Sequence, residues 1–285
     1  MRVDLHTHSA RSDGTDSPAE LMAAAVAAGL DVIALTDHDT TAGWAEAAAQ
    51  RPRGLTVVPG VELSCASPVT GADAIGVHLL GYLFDAEHPD FRDARVRLRE
   101  SRHGRAEEMV RRMRASGLPI DWERVSALAA GGPVGRPHMA RALVGAGLAA
   151  TVDEAFRLHL HHGSPYYVRK ADVDVGDGVR MVRAAGGVPV LAHALAGRRG
   201  RVVGDDVIAD LAAAGLLGLE VDHPDHTEED RRHLRGVAGE LGLLCTGSSD
   251  YHGTNKQTPI GVFGTAPAVL DTIIGLSTGT RPYAD

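Results

Sequence analysis

Nine side chains able to bind a divalent cation recur beside short apolar runs along this 285-residue chain. His6 and His8 stand two apart in DLHTHS, so in an extended strand both point the same way. Asp13 follows in the next loop, His38 closes the run in ALTDHDT, Glu62 ends the run in VVPGVELS and His78 sits within GVHLLGY. His193 closes PVLAHAL, and Asp250 and His252, again two apart, sit in TGSSDYH. Six neutral imidazoles with three carboxylates suit Zn, Mn or Fe better than Ca or Mg, which prefer shells made wholly of oxygen. Nine donors exceed what one tetrahedral or octahedral ion can take, so two or three divalent ions are implied. Metals so paired lower the pKa of bound water, present hydroxide at neutral pH and hold phosphate oxygens. Taken singly, a strand-end histidine is ordinarily a surface or core residue, and His78 alone carries no argument. Recurrence beside so many strands is what core packing does not explain.

The elements that must gather these residues can be read from hydrophobic patterning. Seven runs read as strands: Arg2–His8, Asp31–His38, Thr56–Ser64, Ala74–Leu83, Val188–Leu195, Leu217–His223 and Leu243–His252. Several, such as VIAL and VPVLA, are continuously apolar, as strands buried on both faces should be. They alternate with Ala-rich helical stretches, the α/β pattern of a parallel sheet or barrel. In SPAELMAAAVAAGL, Ser17 is a good N-cap, Pro18 fits the first turn, Glu20 completes a capping box and Gly29 supplies the stop. In a parallel barrel every strand's C-terminal end opens on one rim, where the nine residues would converge.

The alternation lapses between residues 87 and 165, which read as helices only. This predicts a barrel in two parts, 1–86 and 166–285, with a small all-helical insertion between them. The insertion contains RDARVRLRESRHGRAEEMVRRMR, rich in arginine and interleaved with acids. One reading is a solvated helix laced with local ion pairs. The other is that some of these arginines face the barrel mouth and meet substrate phosphates.

Composition sets the outer bounds. Hydrophobic residues at 44% and charged residues at 23% are ordinary for a globular protein, whereas fifteen histidines beside 4% aromatics are not. A net charge of −8 argues against broad binding of long duplex nucleic acid. Bound divalent ions nevertheless make a local site positive enough for a phosphate ester. Two cysteines, Cys65 and Cys245, cannot build a disulfide framework. MRVDLHTHS has no signal-peptide pattern, and no apolar run is long enough to cross a bilayer. A cytoplasmic protein with no membrane or obligate protein partner is therefore expected.

DLHTHSARSDGT, ALTDHDT, GVELS, HLLGY, the strand-end His193 and GSSDYHG together resemble the motifs of the PHP (polymerase and histidinol phosphatase) family. The resemblance runs over nearly the whole chain, includes GRPHMARAL in the insertion, and is closest to the branch of RNase AM and nucleotide 3′,5′-bisphosphate phosphatases. It implies a distorted seven-stranded (β/α)7 barrel with a trinuclear metal site. His6, His8, Glu62 and Asp250 would hold one ion, Asp13, His38 and His252 a second, and Glu62, His78 and His193 a third, with Glu62 bridging. Asp13 stands where some relatives carry histidine, which shifts that group toward Mn or Fe. The implied activity is hydrolysis of the 5′-phosphate of a nucleotide or short oligonucleotide by metal-activated hydroxide.

Substrate contacts are expected from Arg136 and His138 in the insertion and from His226 in DHPDHT. Arg198 is a further candidate, although relatives often read AHPGR where this chain has AHALAGR. Asp37, beside His38, reads as a partner that orients a ligand. Three other readings compete: a histidinol-phosphatase-like enzyme for small metabolites, a metal-stabilised accessory or binding module, and a metal amidohydrolase. Amidohydrolases usually rely on a carbamylated lysine, and this chain offers only Lys170 and Lys256.

Overall fold

The computed structural model describes residues 1–69, 73–129 and 131–285. Its strands are β1 (Val3–Thr7), β2 (Val32–Leu35), β3 (Thr56–Ser67), β4 (Ile75–Tyr82), β5 (Val173–Asp174), β6 (Val188–Ala192), β7 (Gly218–Asp222) and β8 (Leu244–Gly247). The α-helices are α1 (Pro18–Ala27), α2 (Trp44–Gln50), α3 (Pro89–Ala115), α4 (Trp122–Leu128), α5 (Arg136–Gly145) and α6 (Val152–Ala155). Then come α7 (Val175–Ala184), α8 (Asp205–Ala213), α9 (Glu228–Leu241) and α10 (Pro267–Leu276). α1 starts where the sequence predicts: Ser17 Oγ accepts from the Glu20 N–H at 3.2 Å, and the Glu20 carboxylate accepts from the Ser17 N–H at 2.8 Å.

The strands form one sheet in the order β1-β2-β3-β4-β6-β7-β8, with the short β5 beside β3. Past β8 the circuit is completed by a bridge between Thr7 and Tyr251, where the His8 N–H donates to the Tyr251 carbonyl at 2.9 Å. The result is a nearly closed seven-strand barrel within a mixed α/β fold.

The expectation that every strand runs parallel needs correction. β4 pairs antiparallel with both β3 and β6. His78, opposite Ser64 and Ala192, therefore comes from the first half of its strand rather than its end. Glu62 does not end its strand either, because β3 continues to Ser67 to pair with β4. An apolar run buried in a sheet carries no mark of its direction, which is why patterning could not show the reversal.

Two apolar clusters follow strand alternation. Val58, Leu80, Tyr82, Val188 and Val190 share one cluster with Leu270 and Ile273 of α10. By the two-residue period, Glu62 lies on the face of Val58, and His78 on that of Leu80 and Tyr82. The opposite faces, including Leu63, Leu79, Leu191 and Leu219, pack beneath the surrounding helices. α3 links two cores: Phe91 and Leu98 join the barrel cluster, while Ala106, Met109 and Met113 pack with α4 and α5 in a cluster of their own.

Candidate metal centre

All nine predicted ligand residues meet at one place. The Glu62 carboxylate is its hub. One oxygen lies 3.2 Å from His6 Nε2, 3.0 Å from His8 Nε2 and 3.2 Å from His38 Nδ1. The other lies 2.5 Å from His78 Nδ1 and 3.0 Å from His193 Nε2. Asp250 Oδ1 stands 3.4 Å from the same nitrogens of His6 and His8 and 3.4 Å from His252 Nδ1. Asp13 reaches His38 Nε2 at 3.6 Å and His252 Nε2 at 3.4 Å. Apart from the half-buried His78, every one of the nine is buried.

Their donor atoms fall into three overlapping groups: His6, His8, Glu62 and Asp250; His8, Asp13, His38 and His252; and His38, Glu62 and His78. Within each group the atoms lie within 4.8 Å of one another. Against the implied partition, the first group has the same members, the second gains His8, and the third has His38 in place of His193, which still lies 3.0 Å from Glu62. The donor set fits divalent ions. The Nε2 atoms of His6 and His8 face each other at 3.1 Å, and the Nδ1 atoms of His38 and His78 are sealed from solvent with no well-aligned hydrogen bond. Imidazole lone pairs crowded around shared carboxylates in this way call for a cation.

The charges are strongly coupled. Burial alone pushes the His6 and His8 imidazoles down, but carboxylates reverse it: Glu220, Glu62 and Asp250 hold His6 well above its usual range. Asp250 and Glu62 likewise bring His8 to about 9. Burial pushes Asp13 and Glu62 up, yet His38 and its neighbours hold both well below the usual carboxylate range. His252 is lowered to about 4 by burial and the nearby Lys256.

The strand ends are fixed by polar contacts and by unusual backbone. Asp37 accepts from the Ser9 N–H at 2.8 Å and from the Ser9 and Ser12 hydroxyls at 2.7 Å, so it fastens the loop that carries Asp13. Asp39 accepts from the Ser64 N–H at 2.7 Å and pairs with Arg102 at 3.0 Å, tying β3 to α3. Asp39, His193 and Asp250 have φ values of 57°, 34° and 51°, a left-handed region where Cβ crowds the following carbonyl at a cost of about 1–2 kcal/mol each. Such backbone persists only where surrounding contacts enforce it.

Four residues of this neighbourhood escaped the sequence reading. Glu220, fully buried, accepts from His6 Nδ1 at 2.9 Å, from the His193 N–H at 2.8 Å and from the Ser248 hydroxyl. His223 Nε2 lies 3.3 Å from Asp250 Oδ2, and the Lys256 ammonium lies 2.5 Å from the same oxygen. The fourth is Arg102. Glu220 did leave a signal, as a lone acid inside the apolar run LLGLEV.

The four expected substrate contacts are placed differently from one another. Arg136 sits at the start of α5, its guanidinium 5.5 Å from the Phe156 ring and 5.9 Å from the Tyr167 ring, donating to the Leu160 carbonyl at 3.2 Å. His138 is buried and its Nδ1 accepts from the Gly135 N–H at 3.0 Å, so its other nitrogen carries the proton. Arg198 is exposed in a short 3₁₀ turn at Gly197–Arg199. His226 has both ring nitrogens committed: Nδ1 donates to the Val221 carbonyl at 2.8 Å and Nε2 accepts from the Leu195 N–H at 3.2 Å. Those contacts make it a peg for the segment after His193, which corrects its expected place against substrate.

Comparison with known proteins agrees with this geometry. A sequence profile of the PHP domain matches residues 4–120. The chain is 35% identical over 255 residues to a 5′-3′ exoribonuclease of Haemophilus influenzae, across 88% of this chain and 90% of that one. It is 34% identical over 252 residues to a 3′,5′-nucleoside bisphosphate phosphatase of Chromobacterium violaceum, across 88% and 87% of the two chains. Its fold superposes with a TM-score of 0.90 on a Bifidobacterium adolescentis protein described as a metal-dependent phosphoesterase, 33% identical and covered to 96% in both directions.

Proposed function

This chain belongs to the PHP domain family and is a metal-dependent phosphoric ester hydrolase; on that premise we propose that it removes the 5′-phosphate of nucleotides. The substrates would be nucleoside 3′,5′-bisphosphates or the 5′ ends of short RNA. The observation that carries the reading is the convergence of five imidazoles on the Glu62 carboxylate, flanked by Asp13 and Asp250.

In this reading His6, His8, Glu62 and Asp250 hold one ion, Asp13, His38 and His252 a second, and Glu62, His78 and His193 a third. In the second group Asp13 stands in place of a histidine, which would incline that group toward manganese or iron. Divalent ions held by these residues would lower the pKa of water and offer positive charge to the phosphate oxygens. The chain's own groups do the rest. Glu220 and Asp37 keep ligands and loops aimed, and burial excludes bulk water, which strengthens every charge contact. Arg136 and His138 lie in the insertion, residues 87–165, which we take as the source of substrate selectivity. The Cys65 thiol is driven far up by burial and is no nucleophile. A single displacement by water, without a phosphoenzyme, is the expected course. Cys65 and Cys245 are both free, in keeping with a cytoplasmic location, and among the described residues no helix is long and apolar enough to cross a membrane.

The test is a substrate panel with Mn2+-loaded protein: adenosine 3′,5′-bisphosphate, a 5′-phosphorylated oligoribonucleotide and histidinol phosphate. Turnover of either nucleotide substrate well above histidinol phosphate is expected, with one solvent oxygen entering the phosphate in labelled water. Preference for histidinol phosphate, or phosphate transfer to an added alcohol at constant yield, would reject the reading.

A further inference from the structure

Of the 29 lysines and arginines in the chain, only Lys170 and Lys256 are lysines. Lys256 stands beside the metal centre. Its ammonium lies 2.5 Å from Asp250 Oδ2 and donates to the Asp250 carbonyl at 3.3 Å. His223 meets the same carboxylate oxygen. Its Nδ1 accepts from the Asp225 N–H at 3.0 Å, so Nε2 carries the proton and donates to Oδ2 at 3.3 Å. The other oxygen, Oδ1, faces the ligand cluster, 3.4 Å from His6 Nε2, His8 Nε2 and His252 Nδ1.

The turn that carries Lys256 does not depend on this contact. The Thr254 N–H donates to Thr15 Oγ1 at 2.9 Å, and the Asn255 side-chain amide donates to the Asp13 carbonyl at 2.7 Å. The Lys256 side chain is 32% exposed, against 2% for that of Asp250, so packing does not account for it. Its charge does. The residue type is informative as well. A guanidinium fork engages both oxygens of a carboxylate, whereas an ammonium is a compact point charge that settles on one. A carboxylate meets a divalent ion with one oxygen or with both. With an ammonium and an imidazole N–H on Oδ2, Asp250 is kept from turning and presents Oδ1 to the cluster.

We propose that Lys256 is a positioning residue of the metal centre: it pins Asp250 through Oδ2, so that the carboxylate offers Oδ1 alone, and its positive charge restrains how tightly the centre holds an ion there. This rests on reading Asp250 as a metal ligand. In the empty centre the ammonium compensates a carboxylate that burial would otherwise strand. Beside a bound ion it is a like charge, and it weakens binding. Lys256 thus stabilises the empty centre and loosens the loaded one. A packing residue would stabilise both, and a ligand would tighten the loaded one.

The experiment measures Mn2+ affinity by calorimetry, and melting temperature with and without Mn2+, for wild type, Lys256→Met, Lys256→Gln and Lys256→Arg. The two neutral variants should bind one Mn2+ about 10- to 100-fold more tightly, the order expected when a unit charge near a partly buried ion is removed. After chelator treatment both should melt below wild type, so that the gap between loaded and stripped protein widens. Lys256→Arg keeps the charge and should bind Mn2+ no more tightly than wild type. Unchanged or weaker affinity at every site in the neutral variants would overturn the proposal, as would equal tightening in Lys256→Arg or unchanged melting of the stripped neutral variants. Failure of both neutral variants to fold would also overturn it, by making Lys256 a residue of the fold; if one fails, the other decides. Wild type that takes up no Mn2+ would contradict the metal-centre reading itself, and the proposal with it, whereas wild type that binds Mn2+ beside neutral variants that bind it no better sinks the proposal alone.

Discussion

Glu220 accepts a hydrogen bond from His6 Nδ1 at 2.9 Å, and this contact decides which nitrogen of His6 faces the other ligands. The Glu220 carboxylate is ionised, held well below its usual range against burial by His6 and His223, so the imidazole must be the donor. The Nε2 lone pair is thereby left for a metal. Glu220→Gln keeps the shape but weakens the acceptor. It should lower metal affinity about 10- to 100-fold, the usual effect of losing such an orienting partner, while far-UV circular dichroism stays unchanged. Metal titration by calorimetry checks this; unaltered affinity would leave Glu220 without a role in orienting His6.

The Arg102–Asp39 pair should dominate local stability. Both side chains are buried, so removing one partner strands the other. Arg102→Met should destabilise the protein by about 3–5 kcal/mol in urea denaturation, and adding Asp39→Asn should recover part of that. Burial raises Asp39, but Arg102, Lys170, His38 and the Ser64 N–H together more than offset it and bring the group to about 2. A depressed carboxyl of this kind stabilises the fold above its unfolded value near 3.8 and loses that contribution as pH falls through 2. The cost of Arg102→Met should accordingly shrink in acid.

Stability of the metal-free protein should depend on pH with a sign opposite to that of metal binding. His8 is raised to about 9 and His6 is also raised, so their protonation stabilises the metal-free fold fully below about 6.5. That stabilisation fades as pH rises through 9. Metal binding must displace those protons and so strengthens over the same range. The melting-temperature gap between Mn2+-loaded and chelator-treated protein should widen from pH 7 to pH 9.5. A constant or narrowing gap would mean that His6 and His8 do not exchange protons for metal.

Much of the centre was legible because its residue types are out of place where they stand. His6, His8, Glu62, Asp250 and His252 interrupt or close apolar runs that packing alone would fill with aliphatic side chains. The direction of β4 was not legible, since GVHLLGY reads alike either way along the sheet. Arg102 and Arg105 were hidden among other arginines, although helical phase held a clue. Leu98, Arg102, Arg105 and Met109 follow at spacings of three or four, on the face α3 buries. His226 misled for the opposite reason: a histidine beside a strand end can as well pin backbone as meet a ligand, and only the positions of the Val221 carbonyl and the Leu195 N–H decide between them.

The most direct measurement is phosphate release from adenosine 3′,5′-bisphosphate by protein stripped with a chelator, dialysed and then titrated with Mn2+, beside His6→Ala treated identically. Stripped wild type should be inactive and should regain turnover as the ion is restored, whereas His6→Ala should recover almost none. Turnover that survives stripping, or that returns equally in His6→Ala, would contradict a hydrolase built on this metal centre.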